Sequence, residues 1–111
     1  DCVTCLTHGI DISKVKWVSK GSTPAYVFIS DPDGDMAVAV CDAEISSEIS
    51  PEYLKEHLDM LNHATAVVVE TNLMPEALKF LAENCHVPIF ADPVSVSKCH
   101  RILPVWGICM A

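Results

Sequence analysis

This sequence predicts a layered α/β fold, on three grounds. Short apolar runs alternate with amphipathic segments of about ten residues from position 50 onward, giving the order α-β-α-β-α. Strands joined by helices of that length form right-handed parallel crossovers. Both runs end at a polar strand-to-helix boundary: Ala66-Val67-Val68-Val69-Glu70 leads into Thr71-Asn72-Leu73-Met74-Pro75-Glu76, and Pro88-Ile89-Phe90-Ala91 leads into Asp92-Pro93-Val94-Ser95 and Lys98. Open α/β sheets bind ligands outside the carboxyl ends of their strands, and helix starts attract phosphate.

The first regular feature is a hairpin. Ala25 to Ser30 is a β-branched and aromatic run, Asp31-Pro32-Asp33-Gly34-Asp35 is a turn cluster, and Met36 to Cys41 is a second apolar run. The loop exceeds two residues. Both strands are apolar on both faces, so cover from elsewhere or a partner surface is expected. Placed before the parallel units, the hairpin reads as a flap or lid.

Ser50-Pro51-Glu52 opens a helix, with Ser as N-cap, Pro at the first helical position and an acid in the first turn. Leu54, Leu58 and Leu61 recur at i, i+4 and i+7, a stripe that faces a sheet. Val67 to Glu70 reads as a buried strand. Pro75-Glu76 opens a second helix with Leu78, Leu81 and Cys85 inward, and Pro88 to Ala91 is the next strand. A third helix is expected near Pro93 or Ser95.

The 111 residues suit one small domain, half apolar and one fifth charged. The net charge of -8, with six Lys and one Arg, provides no basic stripe and argues against nucleic acid as a partner. No apolar run approaches the ~20 residues needed to span a bilayer, so no membrane is expected. Asp1-Cys2-Val3-Thr4-Cys5 has neither the basic region nor the apolar core of a signal peptide. Without an initiating Met, the natural chain is expected to begin earlier. Cys41, Cys85 and Cys99 lie in or beside apolar segments, as free buried thiols do. A reducing, cytoplasmic setting follows.

Each polar candidate carries two readings. Asp92 either sets the turn with Pro93 and caps the next helix, or lies near a ligand's phosphates through Mg²⁺. Lys98 either is solvated at the surface or turns back toward an anion at the helix start. Asn72 is a turn residue or a ligand contact. Cys2 and Cys5 form a C-x-x-C with His8 beyond it. A structural zinc site needs four ligands, and a redox pair needs a strand-to-helix setting, whereas no helix is expected there. No G-x-x-x-x-G-K-[ST] or G-x-G-x-x-G occurs, and His57, His63 and His86 are scattered without a paired nucleophile.

The elements in order resemble one family. Thr23-Pro24-Ala25-Tyr26, Asp33-Gly34-Asp35-Met36, Ile49-Ser50-Pro51-Glu52-Tyr53-Leu54, Glu70-Thr71-Asn72-Leu73 and Asp92-Pro93-Val94-Ser95 with Lys98-Cys99 are similar to the PfkB-type, ribokinase-like carbohydrate kinases, most of all the pseudouridine kinases. The resemblance covers about residues 9 to 103 and reads as an internal fragment. It implies a ribokinase-like three-layer α/β fold fragment, with a β-hairpin lid over about 25–41, parallel βα units over about 50–103 and an unmatched tail at 104–111. It implies transfer of the ATP γ-phosphate to a sugar or nucleoside hydroxyl, with Mg²⁺, and to the ribose 5′-OH in the pseudouridine branch. Thr23 and Asp42 would lie on the substrate side, Asn72, Asp92 and Lys98 toward the phosphate path. Homodimers through the lid are implied as well.

The departures are informative. The Gly-Gly substrate segment, the Asn-x-x-Glu element and the late Gly-Ala-Gly-Asp motif, with its general-base Asp and anion-holding amides, are absent. Cys41 stands where a polar residue is usual. The chain is therefore expected to be inactive alone, assigning no catalytic residue and no protein-held metal. Two other readings compete: a non-catalytic binding or dimerisation fragment of the same fold, and a metal or redox module built on Cys2, Cys5 and His8.

Overall fold

The computed structural model describes residues 2–103, with the unmatched tail at 104–111 outside them. The elements are α1 (Cys2–Thr7), β1 (Ala25–Ser30), β2 (Met36–Asp42), α2 (Pro51–Glu56), α3 (Leu58–His63), β3 (Val67–Glu70), α4 (Pro75–Asn84) and β4 (Ile89–Asp92). Short 3₁₀ segments cover Glu44–Glu48 and Cys99–Ile102. The class is mixed α/β, with an antiparallel hairpin followed by a parallel pair.

The turn cluster builds the hairpin as its residue types require. The Asp31 carboxylate accepts from the N–H groups of Asp33 at 3.0 Å and Asp35 at 2.9 Å. Gly34 takes φ +93°, a left-handed conformation that side chains resist. Val27 pairs with Val40 and Ile29 with Val38 on one face, Tyr26 with Cys41 and Phe28 with Ala39 on the other. Neither face is covered, and Val40 is 71 % exposed.

The core lies on one side of the parallel pair. Val67 aligns with Ile89 and Val69 with Ala91. Side-chain alternation along β3 turns Val67 and Val69 inward and leaves Val68 77 % exposed. Ala77, Leu78 and Leu81 of α4 close over the inward face, with Leu54, Leu73, Cys85 and Ile102 around them. The inner stripe expected of α4 is the one observed. Asn62 fastens α3 to the end of α4, donating to the Asn84 carbonyl at 3.2 Å and accepting from the His86 N–H at 2.7 Å.

Several local expectations are corrected. The helix opened by Ser50 has the expected cap, with Tyr53 N–H donating to Ser50 Oγ at 3.4 Å, but it breaks at His57. There the imidazole Nδ1 pairs with the Tyr53 carbonyl at 2.9 Å, the acceptor that the His57 N–H would use in a continuous helix. That N–H turns instead to Leu54 O at 3.1 Å. Leu54 is buried, while Leu58 and Leu61 are only half-buried.

The third helix expected near Pro93 or Ser95 does not form. The Asp92 carboxylate accepts the Val94 N–H at 2.8 Å, and Val94 adopts φ +56°, a region hostile to a β-branched residue. Only the 3₁₀ turn at Cys99–Ile102 follows. Cys85 is buried as expected, but Cys41 and Cys99 are exposed, the first on the uncovered hairpin and the second on that 3₁₀ turn. A helix also spans Cys2–Thr7, where none was expected.

Candidate functional site

Two strand-to-helix turns are drawn together by one buried residue. Thr71, fully buried at the end of β3, uses all three of its polar groups to join the β3 and β4 turns. Its N–H donates to the Asp92 carbonyl at 3.1 Å, and its hydroxyl donates to the Pro93 carbonyl at 2.5 Å. Its own carbonyl accepts from Arg101 Nη1 at 3.1 Å. The neighbouring turn is fixed from inside, with Asn72 N–H donating to Glu70 Oε2 at 3.0 Å.

This bracing brings Asn72 and Lys98 into contact. The Lys98 ammonium donates to Asn72 Oδ1 at 2.5 Å across 26 positions of sequence. Lys98 is thus half-buried rather than fully solvated, and the helix start toward which it was expected to turn does not form. A cleft of about 380 Å³ opens beside the Lys98–Asn72 pair, lined by Asn72, Met74, Lys98 and Arg101, by Cys41 near the end of β2 and by Ser47 of the 3₁₀ segment that follows it.

The remaining candidates surround this cleft. Asp42 lies in an adjoining recess of about 400 Å³ with Lys20 and Ser22, sharing Glu44 and Ser47 with the first, and its Oδ1 accepts the Glu44 N–H at 3.3 Å. Asp92 lines a separate recess with Ser95 and Cys99, its carboxylate engaged in the turn to Val94. Thr23 borders a larger apolar recess with Trp17, Ile45 and Tyr53. The structure thus joins Asn72 to Lys98, places Asp42 next door, and leaves Asp92 and Thr23 apart from them.

Reading the sequence missed Arg101 and Thr71. Arg101 had a detectable signal, being the chain's one Arg and three residues beyond Lys98, on the same side of a helical turn. Thr71 had none, because its importance lies in hydrogen bonds to a turn more than 20 positions away.

Among the described residues no three His, Cys, Asp or Glu side chains converge as a metal cage. A Mg²⁺ carried by a nucleotide needs only one or two protein carboxylates, since phosphates and water supply the rest. Asp92 is a carboxylate of that kind with one oxygen engaged by Val94, but it lines a recess apart from the Lys98–Asn72 cleft. No described helix is long and apolar enough to cross a membrane.

Comparison with known proteins bears on the fold and the relatives of the chain. No family model matches the chain. It is 36 % identical over 95 residues to the pseudouridine kinase of Escherichia coli K12, covering 85 % of this chain and 30 % of that protein. It is 31 % identical over 97 residues to the uncharacterized sugar kinase YeiI of the same organism, covering 85 % of this chain and 26 % of that one. The pseudouridine kinase of Arabidopsis thaliana is 30 % identical over 88 residues, covering 76 % and 23 %. The fold superposes on a carbohydrate kinase from Agrobacterium tumefaciens with a TM-score of 0.75 at 20 % identity, covering 96 % of this chain and 36 % of that one. The chain therefore spans less than a third of the length of the curated relatives it matches.

Proposed function

We propose that this chain, a relative of the pseudouridine and sugar kinases with a carbohydrate-kinase fold, supplies the lid and phosphate-side segment of an enzyme that phosphorylates a nucleoside or sugar. The donor in this reading is ATP with Mg²⁺, and the acceptor is the ribose 5′-OH of a pseudouridine-like nucleoside. The observation that carries it is the Lys98–Asn72 pair, held at the carboxyl end of the parallel strands and facing the base of the hairpin.

Phosphoryl transfer asks little covalent chemistry of a protein; it needs positioning and compensation of charge. The Lys98 ammonium has three N–H donors. One is committed to Asn72, which fixes the side chain and leaves others for a phosphoryl oxygen. Bound MgATP supplies the phosphoryl group itself. Asp42, beside the cleft at the end of β2, is suited to accept a hydrogen bond from a substrate hydroxyl, and Thr23 lies in the loop just before β1 enters the lid. Asp92 supports the phosphate side through its turn and its remaining carboxylate oxygen.

Nothing in residues 1–111 provides the general-base Asp or the anion-holding amides of a Gly-Ala-Gly-Asp motif. Loss of a single oxyanion-type donor costs roughly 10²- to 10³-fold. The 111-residue chain by itself is therefore inactive toward pseudouridine in this reading. A cytoplasmic setting belongs to the same proposal and is supported by the unpaired thiols of Cys5, Cys41, Cys85 and Cys99.

The test is a hybrid in which residues 9–103 replace the corresponding middle of a related full-length kinase. Turnover of pseudouridine is expected, with Asp92→Ala and Lys98→Ala depressing it and Cys2→Ala and Cys5→Ala leaving it unchanged. A folded but inert hybrid overturns the reading, as does phosphate transfer by the 111-residue chain alone. The two uncovered hairpin faces favour a second reading, a non-catalytic fragment that binds or dimerises through the lid. A folded, inert hybrid that still associates through the hairpin would select it.

A further inference from the structure

The two cations of the cleft have an uncommon environment. Lys98 and Arg101 are both half-buried and line the same cleft, yet neither is ion-paired with a described carboxylate. Each is held by a neutral oxygen instead, Lys98 by the Asn72 carboxamide and Arg101 by the Thr71 carbonyl. Withdrawing a charge from water without an opposite charge is costly, and the cost falls when an anion arrives. In a chain of net charge -8, two such cations three residues apart form a local positive spot against the overall field.

Guanidinium is the better shaped of the two for this task. It offers five N–H donors in a planar fork, of which one nitrogen is engaged at Thr71. The same bond holds the Thr71–Asn72 turn in place, and Asn72 in turn orients Lys98. Arg101 thus acts twice, bracing the turn that presents the ammonium and adding a second positive charge to the same wall. Glu44 borders the cleft too, and its carboxylate opposes an incoming anion.

We propose that Arg101 is a positioning and specificity-determining residue, which makes this cleft select a ligand with two adjacent phosphoryl charges over one with a single phosphoryl group. The inference rests on the phosphate-side reading of Lys98 and Asn72 above, and deepens it by naming the charge class of the ligand. A second charge-assisted hydrogen bond is worth about 1.5 kcal/mol or more, equivalent to about tenfold in affinity.

The test is equilibrium dialysis of the 111-residue chain against radiolabelled pyrophosphate and, separately, inorganic phosphate. The wild-type chain is expected to bind pyrophosphate more tightly than phosphate. In Arg101→Gln that preference falls about tenfold, whereas Lys98→Ala weakens both ligands alike. Glu44→Gln tightens both. If Arg101→Gln loses the far-UV circular dichroism of the folded chain, Arg101→Lys carries the comparison: it keeps the charge but lacks the fork, and a smaller fall in the same direction is expected. An unchanged preference in the folded Arg101 variant overturns the proposal, and so does a wild-type chain that binds neither anion. The kinase reading is decided separately, by turnover of the hybrid enzyme, so the two can fail independently.

Discussion

Truncating Leu78 to Ala tests whether the small core on one side of the parallel strands is what holds the chain together. Leu78 is fully buried on α4, among Ala77, Leu81 and the inward residues of β3 and β4. Removing a buried leucine's methyl-bearing end costs its transfer free energy plus a cavity term, together about 3 to 5 kcal/mol. A two-stranded sheet with one helical cover can partly collapse into the gap, so the low end applies, about 3 kcal/mol. A chain of this size has about 5 kcal/mol of stability at the lower bound for native proteins. Leu78→Ala therefore removes more than half of it. Val68→Ala, on the opposite and 77 % exposed face, should change it by no more than about 0.5 kcal/mol. Urea titrations followed by far-UV circular dichroism supply both numbers, at several protein concentrations so that association is separated from folding. With a slope of about 1.5 kcal/mol/M, Leu78→Ala should lower the midpoint by about 2 M. Equal midpoints for the two variants would show that the stability does not come from this core.

Three further outcomes are expected. The uncovered hairpin should drive association: the wild-type chain should sediment as oligomers, and Val27→Lys with Val40→Lys, a cross-strand pair on one face, should shift it toward monomer. A wild-type chain that is monomeric at all concentrations refutes that. Thiol labelling should modify Cys41 and Cys99 rapidly and Cys85 only after unfolding, so equal rates would contradict the packing of α4. Finally, hydrogen bonding from its own backbone N–H and then from Ser50 holds the Glu52 carboxyl below the ordinary glutamate value. A carboxyl depressed in the folded state contributes stability above its unfolded value and loses it as pH falls through the folded one. Between about pH 6 and about pH 3, the urea midpoint should therefore fall more steeply in the wild type than in Glu52→Gln; parallel curves would dismiss this cap.

The elements themselves were legible from local chemistry. Alternation and turn residues located the hairpin, because Asp31, Gly34 and their neighbours act within five positions of one another. The Ser50 cap, the α4 stripe and the two short strands were equally local. The breaks were not. His57 interrupts a well-patterned helix because its ring takes the Tyr53 carbonyl, and periodicity does not register a side chain competing for a backbone acceptor. The missing third helix has a similar cause in the Asp92 turn and the left-handed Val94.

For the site, the sequence by itself determined which residues stand at the carboxyl ends of the two strands: Asn72, Asp92 and, shortly after, Lys98. Their spacing from strand and helix signals is a property of the chain read in order. Which of them meet was decided by tertiary structure alone. Parallel pairing of β3 with β4 sets the two turns side by side, and Thr71 bolts them together through bonds that cross more than 20 positions. That geometry turns Lys98 onto Asn72, diverts Asp92 into its own turn, and brings in Arg101, whose role depends on a carbonyl 30 residues away. Burial divides the same way: side-chain type nominated Val67, Val68 and Val69 alike, and only the side on which α4 packs determined that the middle one faces out.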